Sequence, residues 1–320
     1  MSKIVQCVPN FSEGRDQNKI EEIVSVLKNK EGFNLVSYEP DGDYNRTVVT
    51  LLGDPLKIID AVVEFTGKVL ELVDMNVQSG EHPRMGAVDV IPFIPIADVT
   101  MDECVEYANS VAKKINEAYD IPIFMYAEAA NVKSRVKLPT IRKGEFEGMK
   151  EKIKDPKWAP DYGKAEIHPT FGVIGVGARI PLIAYNIDLD CEDTKIAGNI
   201  AKAIRFSSGG FRHIQAGPVF LDTRGHVQVT MNILDYKKNP IYRIMETVKM
   251  EAKRYGINVP SCELVGLMPK AAILNSLRYY FAVEGKEYNK EMSLEEITEY
   301  AIKYMNFRDF DILKIIEANI

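Results

Sequence analysis

Apolar positions along the chain switch between two rhythms, and the switches mark out elements. Residues 3–10 are apolar and β-rich, and residues 16–29 carry Ile20, Ile23, Val24 and Leu27 at helical spacing. Strands follow near 33–39 and 46–53. The second is rich in Val and Thr and stops at Gly53-Asp54-Pro55, a strand end joined to a helix start. A helix from about 55 to 73 presents Ile58, Val62, Phe65, Val69 and Leu72 on one face. A strand near 87–94, a helix near 101–118 and a strand near 121–126 come next.

The second half repeats this order. It gives a strand at 181–189, a helix at 193–206, a strand pair at 214–221 and 226–234, and a helix at 240–255. A strand at 262–267 and a helix at 270–283 follow. The turn Asp222-Thr223-Arg224-Gly225 has hairpin chemistry. A repeated β-α-β-β-α-β order is the split, ferredoxin-like arrangement. The predicted fold class is therefore α/β (α+β), with two duplicated subdomains. Residues 127–180 are less regular, broken by Pro139, Pro156, Pro160 and Pro169 and crowded with glycine at 163, 172, 175 and 177. Such a stretch inside a compact chain is usually functional or a linker. We place the boundary near residue 178, giving subdomains 1–178 and 179–320, and expect the stretch before it to line a cleft between the halves.

Composition narrows the class. Apolar residues make up 46% and charged residues 27% of the 320, as in a soluble globular protein. The longest apolar runs, such as 181–187, are too short to span a bilayer. The N-terminus MSKIVQCVPNFSEG has no sustained apolar region or cleavage site, so no secretory leader is expected. The cysteines at 7, 104, 191 and 262 form no C-x-x-C pair and read as reduced thiols of a cytoplasmic protein. A formal net charge of −6 without a basic stripe argues against nucleic-acid binding, yet allows a local arginine cluster for an anionic substrate.

The densest chemical constellation is Gly80-Glu81-His82-Pro83-Arg84-Met85-Gly86-Ala87-Val88-Asp89. It places a histidine, able to take and return a proton near neutral pH, on a glycine-flanked loop before a strand. Arg84 is suited to clamp a carboxylate. On composition alone the ordinary alternative, a loop histidine pairing with Glu81 or Asp89, is favoured at roughly two to one. His168, in the irregular stretch, is a candidate to face a ligand, whereas His213 and His226 look like turn or edge residues. No histidine pair has i, i+4 spacing, so no metal site is expected. Gly172-Val173-Ile174-Gly175-Val176-Gly177 lacks the following helix of a dinucleotide fingerprint and reads as a turn or close backbone approach. Val5 to Gly14 reads either as a strand-to-helix connection, with Ser12 or Asp16 as the cap, or as a ligand contact, the first at least as favoured as the second. Arg46 is either an anion clamp or a charged strand end. Met75 and Met85 read as packing residues.

Taken together, CVPNFSEG at 7–14, NRTV at 45–48, GEHPRMGAVDVIPFIP at 80–95, MDECV at 101–105, WAPDYG at 158–163, GARIPLIAYNI at 177–187 and LVGLMP at 264–269 resemble the formiminotransferase domain of glutamate formimidoyltransferases. The resemblance spans essentially the whole chain and reverses the odds on His82. It implies two α/β subdomains whose sheets face each other across a substrate tunnel. It implies transfer of a formimidoyl group from N-formimidoyl-L-glutamate to N5 of tetrahydrofolate, with no metal and with His82 as the acid–base catalyst. The family's folate-binding stretch falls on Gly163, Lys164, Ala165, Glu166, Ile167, His168, Pro169, Thr170, Phe171 and Gly172. Arg46, Arg84 and Arg179 are the candidates to hold substrate carboxylates. Bifunctional members carry a cyclodeaminase domain that this chain is read as lacking, so a separate cyclodeaminase is expected downstream, and a homodimer is expected. A formimidoylglycine donor, or a folate-binding protein without activity, are the alternatives.

Overall fold

A computed structural model describes residues 3–320; Met1 and Ser2, part of the stretch read for a leader, lie outside the described residues. The chain divides into two compact units, Met1–Ile180 and Pro181–Ile320.

In the first unit, the apolar run at the N-terminus breaks at Pro9 into β1 (Ile4–Cys7) and β2 (Asn10–Phe11). Next come α1 (Gln17–Ser25), capped by the Asp16 carboxylate, which accepts from the amides of Asn18 and Lys19, then β3 (Phe33–Asp41) and β4 (Arg46–Gly53). The helix α2 (Pro55–Leu72) starts as its sequence foretells, with Asp54 as cap and proline in its first turn. It leads through a loop to β5 (Val88–Ala97). The helix α3 (Met101–Tyr119) opens with a Thr100–Glu103 capping box, and β6 (Ile123–Ala127) follows. Residues 128–173 then fold α4 (Leu138–Arg142) and α5 (Glu145–Lys152) before β7 (Ile174–Ala178).

β4 pairs antiparallel with β3 on one side and with β1 and β2 on the other, and β1 and β2 pair with β5. That is the ferredoxin-like order. β5 then continues in parallel to β7, and β7 to β6. Residues 174–178 of the glycine-rich segment are thus a strand inserted between two others, and of the two readings, a turn or a close backbone approach, the second holds within it. Its Ile174 and Val176 sit in the main core, whereas a Cβ on Gly177 would meet the Tyr126 carbonyl at 2.6 Å. Close strand packing, rather than turning, is what its glycine answers to.

One face of this sheet is covered by α1, α2 and α3, with Ile23, Phe65 and Val111 among residues wholly buried there. The parallel end is covered on its second face as well, by α4 and α5. There Phe124 and Tyr126 of β6 pack with Ile141, Met149 and Met85, while the alternate Ile123 and Met125 face the main core. Met75 and Met85 are both buried, as read from the sequence.

The second unit holds β8 (Ile183–Leu189), α6 (Thr194–Ile204), β9 (Ile214–Leu221), β10 (His226–Ile233), α7 (Ile241–Lys253), β11 (Cys262–Val265), α8 (Lys270–Val283) and α9 (Leu294–Met305). Its four strands run β11-β8-β10-β9, all antiparallel, the same ferredoxin-like order. The hairpin turn at 222–225 closes with Gly225 at φ +66°. Segment 306–316 runs beside β11, bridging Cys262 to Phe307 and Met268 to Ile315. All four cysteines are free thiols, and burial pushes the Cys104 and Cys262 thiols up to about 12.

Candidate active site

The loop between α2 and β5 is fastened on three sides. Along its first half, the amides of Glu81 and His82 donate to the carbonyls of Asp43 and Tyr44 at 3.1 and 3.3 Å. Asn45, in the left-handed region at φ +47°, bonds the loop through Ser79 O (2.8 Å) and accepts from Gly14 N (2.9 Å). A Cβ on Gly80 would lie 2.5 Å from the Tyr44 carbonyl, so only glycine permits this approach. The second half zips onto segment 171–173: Ala87 N donates to Phe171 O (2.8 Å) and Val173 N to Met85 O (3.1 Å). From below, Ser12 Oγ donates to Gly86 O at 3.0 Å, so Ser12 braces the loop while Asp16 does the helix capping.

His82 is consequently only 7% exposed, and its Nδ1 is buried without a hydrogen-bond partner. Burial, and then Arg142, Arg46 and Arg84, hold its imidazole well below the ordinary histidine range. At neutral pH it is an uncharged base with a free lone pair or N–H.

The expected arginines play unequal parts. Arg84 is buried, but its guanidinium is spent within the protein. Nε donates to Gln78 Oε1 at 2.8 Å, Nη1 to Glu145 and Glu147 at 2.9 Å each, and Nη2 to Glu147 and the Gln78 carbonyl. It is a clasp on α5 rather than an open hand for a substrate. Arg46 begins β4, stacks over the Tyr44 ring at 5.3 Å, and has a buried Nε without a partner. Arg179 follows β7, half-buried, with burial lowering its pKa and Tyr126 opposing that.

Sequence reasoning passed over Arg142. It ends α4, pairs with the buried Asp89, and leaves its own Nε buried and unpartnered. Asp89 in turn accepts from Met85 N at 2.9 Å, tying Arg142 to the histidine loop. No motif signals Arg142, because α4 is a five-residue helix with no readable period.

The stretch 163–172 is heterogeneous. Gly163, Lys164, Ala165 and Glu166 are exposed, and Lys164 reaches Asp120 at 3.0 Å. Ile167, His168 and Thr170 are half-buried, Pro169 exposed, Phe171 and Gly172 buried. His168 turns inward, its Nδ1 accepting from Phe171 N at 3.2 Å. Gly172, at φ +88°, would place a Cβ 2.3 Å from the Met85 carbonyl. Its lack of a side chain is required by the histidine loop. The preceding WAPDYG motif is likewise structural. Its Asp161 accepts from Met125 N (2.8 Å) and pairs with buried Arg135 at 3.1 Å. No group of histidine, cysteine and carboxylate side chains suited to a metal occurs among the described residues.

Comparison with known proteins agrees with this architecture. The profile of the formiminotransferase domain, N-terminal subdomain, matches residues 4–179, and that of the formiminotransferase domain matches residues 184–319. The glutamate formimidoyltransferase of Streptococcus pyogenes serotype M1 is 47% identical, across 91% of this chain and 98% of that protein. That of Thermoplasma acidophilum is 40% identical, across 88% and 93%. The formimidoyltransferase-cyclodeaminase of Dictyostelium discoideum is 39% identical, and there the match takes in 89% of this chain but 54% of the longer relative. Both halves of the chain, in order and nearly end to end, are thus accounted for, and the chain belongs to the formiminotransferase family.

Proposed function

We propose that this chain is a glutamate formimidoyltransferase, moving the formimidoyl group of N-formimidoyl-L-glutamate to N5 of tetrahydrofolate, its co-substrate. The observation that carries the reading is His82, a buried, uncharged imidazole with an unbonded Nδ1 among arginines. N5 attacks the formimidoyl carbon, forming a tetrahedral adduct. His82 removes the N5 proton and delivers it to the departing glutamate nitrogen, so the carbon–nitrogen bond to glutamate breaks as the N5–carbon bond persists. An imidazolium held beside guanidinium groups is a strong acid, which favours the second transfer. Substrate carboxylates entering the site raise the imidazole's basicity for the first.

Within 163–172, the exposed Gly163–Glu166 end and His168 are the parts open to the folate, while Phe171 and Gly172 support the catalytic loop. Arg46 and Arg179 serve substrate carboxylates. The folate carries a polyglutamate tail, the chain works as a homodimer in the cytoplasm, and a cyclodeaminase activity consumes the product. Among the described residues no helix is long and apolar enough to cross a membrane.

The test is an assay with tetrahydrofolate and two donors, formimidoylglutamate and formimidoylglycine. Transfer from the first at a higher kcat/KM is expected. Transfer from the second alone would replace the donor, and folate binding without any transfer would reduce the protein to a binder.

A further inference from the structure

Several buried polar atoms have no partner, and they share one face of the first unit's sheet or lie within electrostatic reach of His82. Among the described residues, Arg46 Nε, Arg142 Nε, His82 Nδ1, Asn10 Oδ1 and Thr50 Oγ1 are all unbonded and shielded. Asn10 is registered opposite Val48, between Arg46 and Thr50 on β4. By strand alternation these three lie on the sheet face turned away from Phe11, Val49 and Leu51, which pack under the helices. A buried N–H without an acceptor is costly to the fold. Two guanidinium Nε donors left so within electrostatic reach of each other and of one histidine mark a place kept for an acceptor that the chain does not supply.

The charges around them specify that acceptor. Arg84 is already matched by Glu145 and Glu147. Arg142 has Asp89 on one side only, and Asp41 and Glu39 act on Arg46 from β3. Two N–H donors on separate guanidinium groups fit the two oxygens of a carboxylate. Resting on the transferase reading above, we infer that Arg46 and Arg142 together seat the α-carboxylate of the formimidoyl donor. That carboxylate is attached to the carbon bearing the departing nitrogen, so it must lie close to the acid that protonates this nitrogen. The tail carboxylates of a folate lie a methylene and an aminobenzoyl group away from N5 and cannot share the seat. Because every N-formimidoyl α-amino acid carries this group, the seat anchors the donor without choosing its side chain.

The experiment pairs variants with donors lacking one carboxylate at a time. Wild-type protein, R46M and R142M are assayed with N-formimidoylglutamate, its α-carboxamide and its γ-carboxamide. Removing either arginine should lower kcat/KM for the diacid and the γ-carboxamide on the order of 10²-fold, chiefly through KM. The α-carboxamide should already be poor with wild type and lose less than about threefold more in either variant. Equal losses with all three donors, or a loss confined to kcat, would overturn the seat while leaving the transferase reading intact. Failure of wild type with every donor would instead remove that reading. Unfolding of R142M over unpaired Asp89 is met by R142M/D89N, and retained tetrahydrofolate affinity certifies each variant as folded.

Discussion

At the scale of single residues, the environment of His82 bears on its proposed role and on its cost together. The sequence places it on a glycine-flanked loop, and there the side chain is 7% exposed with an unbonded ring nitrogen. His82→Gln should lower kcat by roughly two to four orders of magnitude with both substrates still binding. It should leave the melting temperature at pH 8 within a few degrees, because a buried, unsatisfied polar group is exchanged for a side chain of similar size. Undiminished turnover would refute the catalytic role. His82 was legible through the GEHPRMG string and the family resemblance that string carries, since on physical grounds alone an ordinary loop histidine was favoured at roughly two to one. Arg142 was not, since its role exists only once α4 brings it onto Asp89, some fifty residues away in sequence.

Among elements, the link between the histidine loop and segment 171–173 is the feature most open to test. Gly172→Ala forces a side chain onto a φ of +88° and into the Met85 carbonyl, so it should cost more than about 2 kcal/mol in urea unfolding. Folate affinity should fall only as far as the folded fraction does. A folded, stable variant that has lost folate binding would return Gly172 to the ligand. Arg84→Met tests the neighbouring clasp. Its partners Glu145 and Glu147 are 44% and 62% exposed, so the loss of their pairing is discounted by solvent to about 1–2 kcal/mol. KM for the donor should change little, whereas a large KM rise would make Arg84 a substrate ligand after all.

The same scale shows where pattern reading works. Helices with full amphipathic stripes, α2 and α3, were placed within a residue or two, and the start of α2 at Asp54-Pro55 was read as such, whereas the Thr100 capping box of α3 was not. β7 was not placed as a strand, although a close backbone approach was one of two readings of its glycines, because the glycine that a close parallel neighbour requires at 177 is also what a turn requires. β1 and β2 read as one strand because the register shift between them at Pro9 leaves the apolar pattern continuous. The helix α9 was passed over, although Ser293 and Glu296 form a capping box before its apolar positions Ile297 and Ala301.

At the scale of the whole molecule, the two units differ in how they should meet acid. Both histidines with lowered pKa, His82 and His168, lie in the first unit, each shifted chiefly by burial. Their folded-state values sit below the ordinary 6.5, so above that pH neither state binds the proton and the stability is fully present. As pH falls beneath it, the unfolded chain takes up protons that the folded unit refuses. Stability then declines by at most about 1.4 kcal/mol per pH unit per histidine until the folded pKa is reached. The second unit centres on buried Asp188. Burial pushes its carboxyl up, but Ser261, Arg308 and Gln228, donating at 2.6, 2.9 and 2.7 Å, more than offset this and hold it below the usual carboxylate range. Its contribution persists above the unfolded carboxylate pKa and is lost only as pH drops through the lower folded value. Acid should therefore loosen the first unit before the second. Trp158, the single tryptophan, lies in the first unit against Lys152 and reports on it by fluorescence. Amide exchange along β8 and β10 reports on the second. On titration from pH 7 to 3, the Trp158 signal should change at higher pH than protection is lost in β8 and β10, and His82→Gln should move the first transition to lower pH without moving the second. Coincident transitions, or loss of the second unit first, would show that buried histidines do not set the acid limit of this fold.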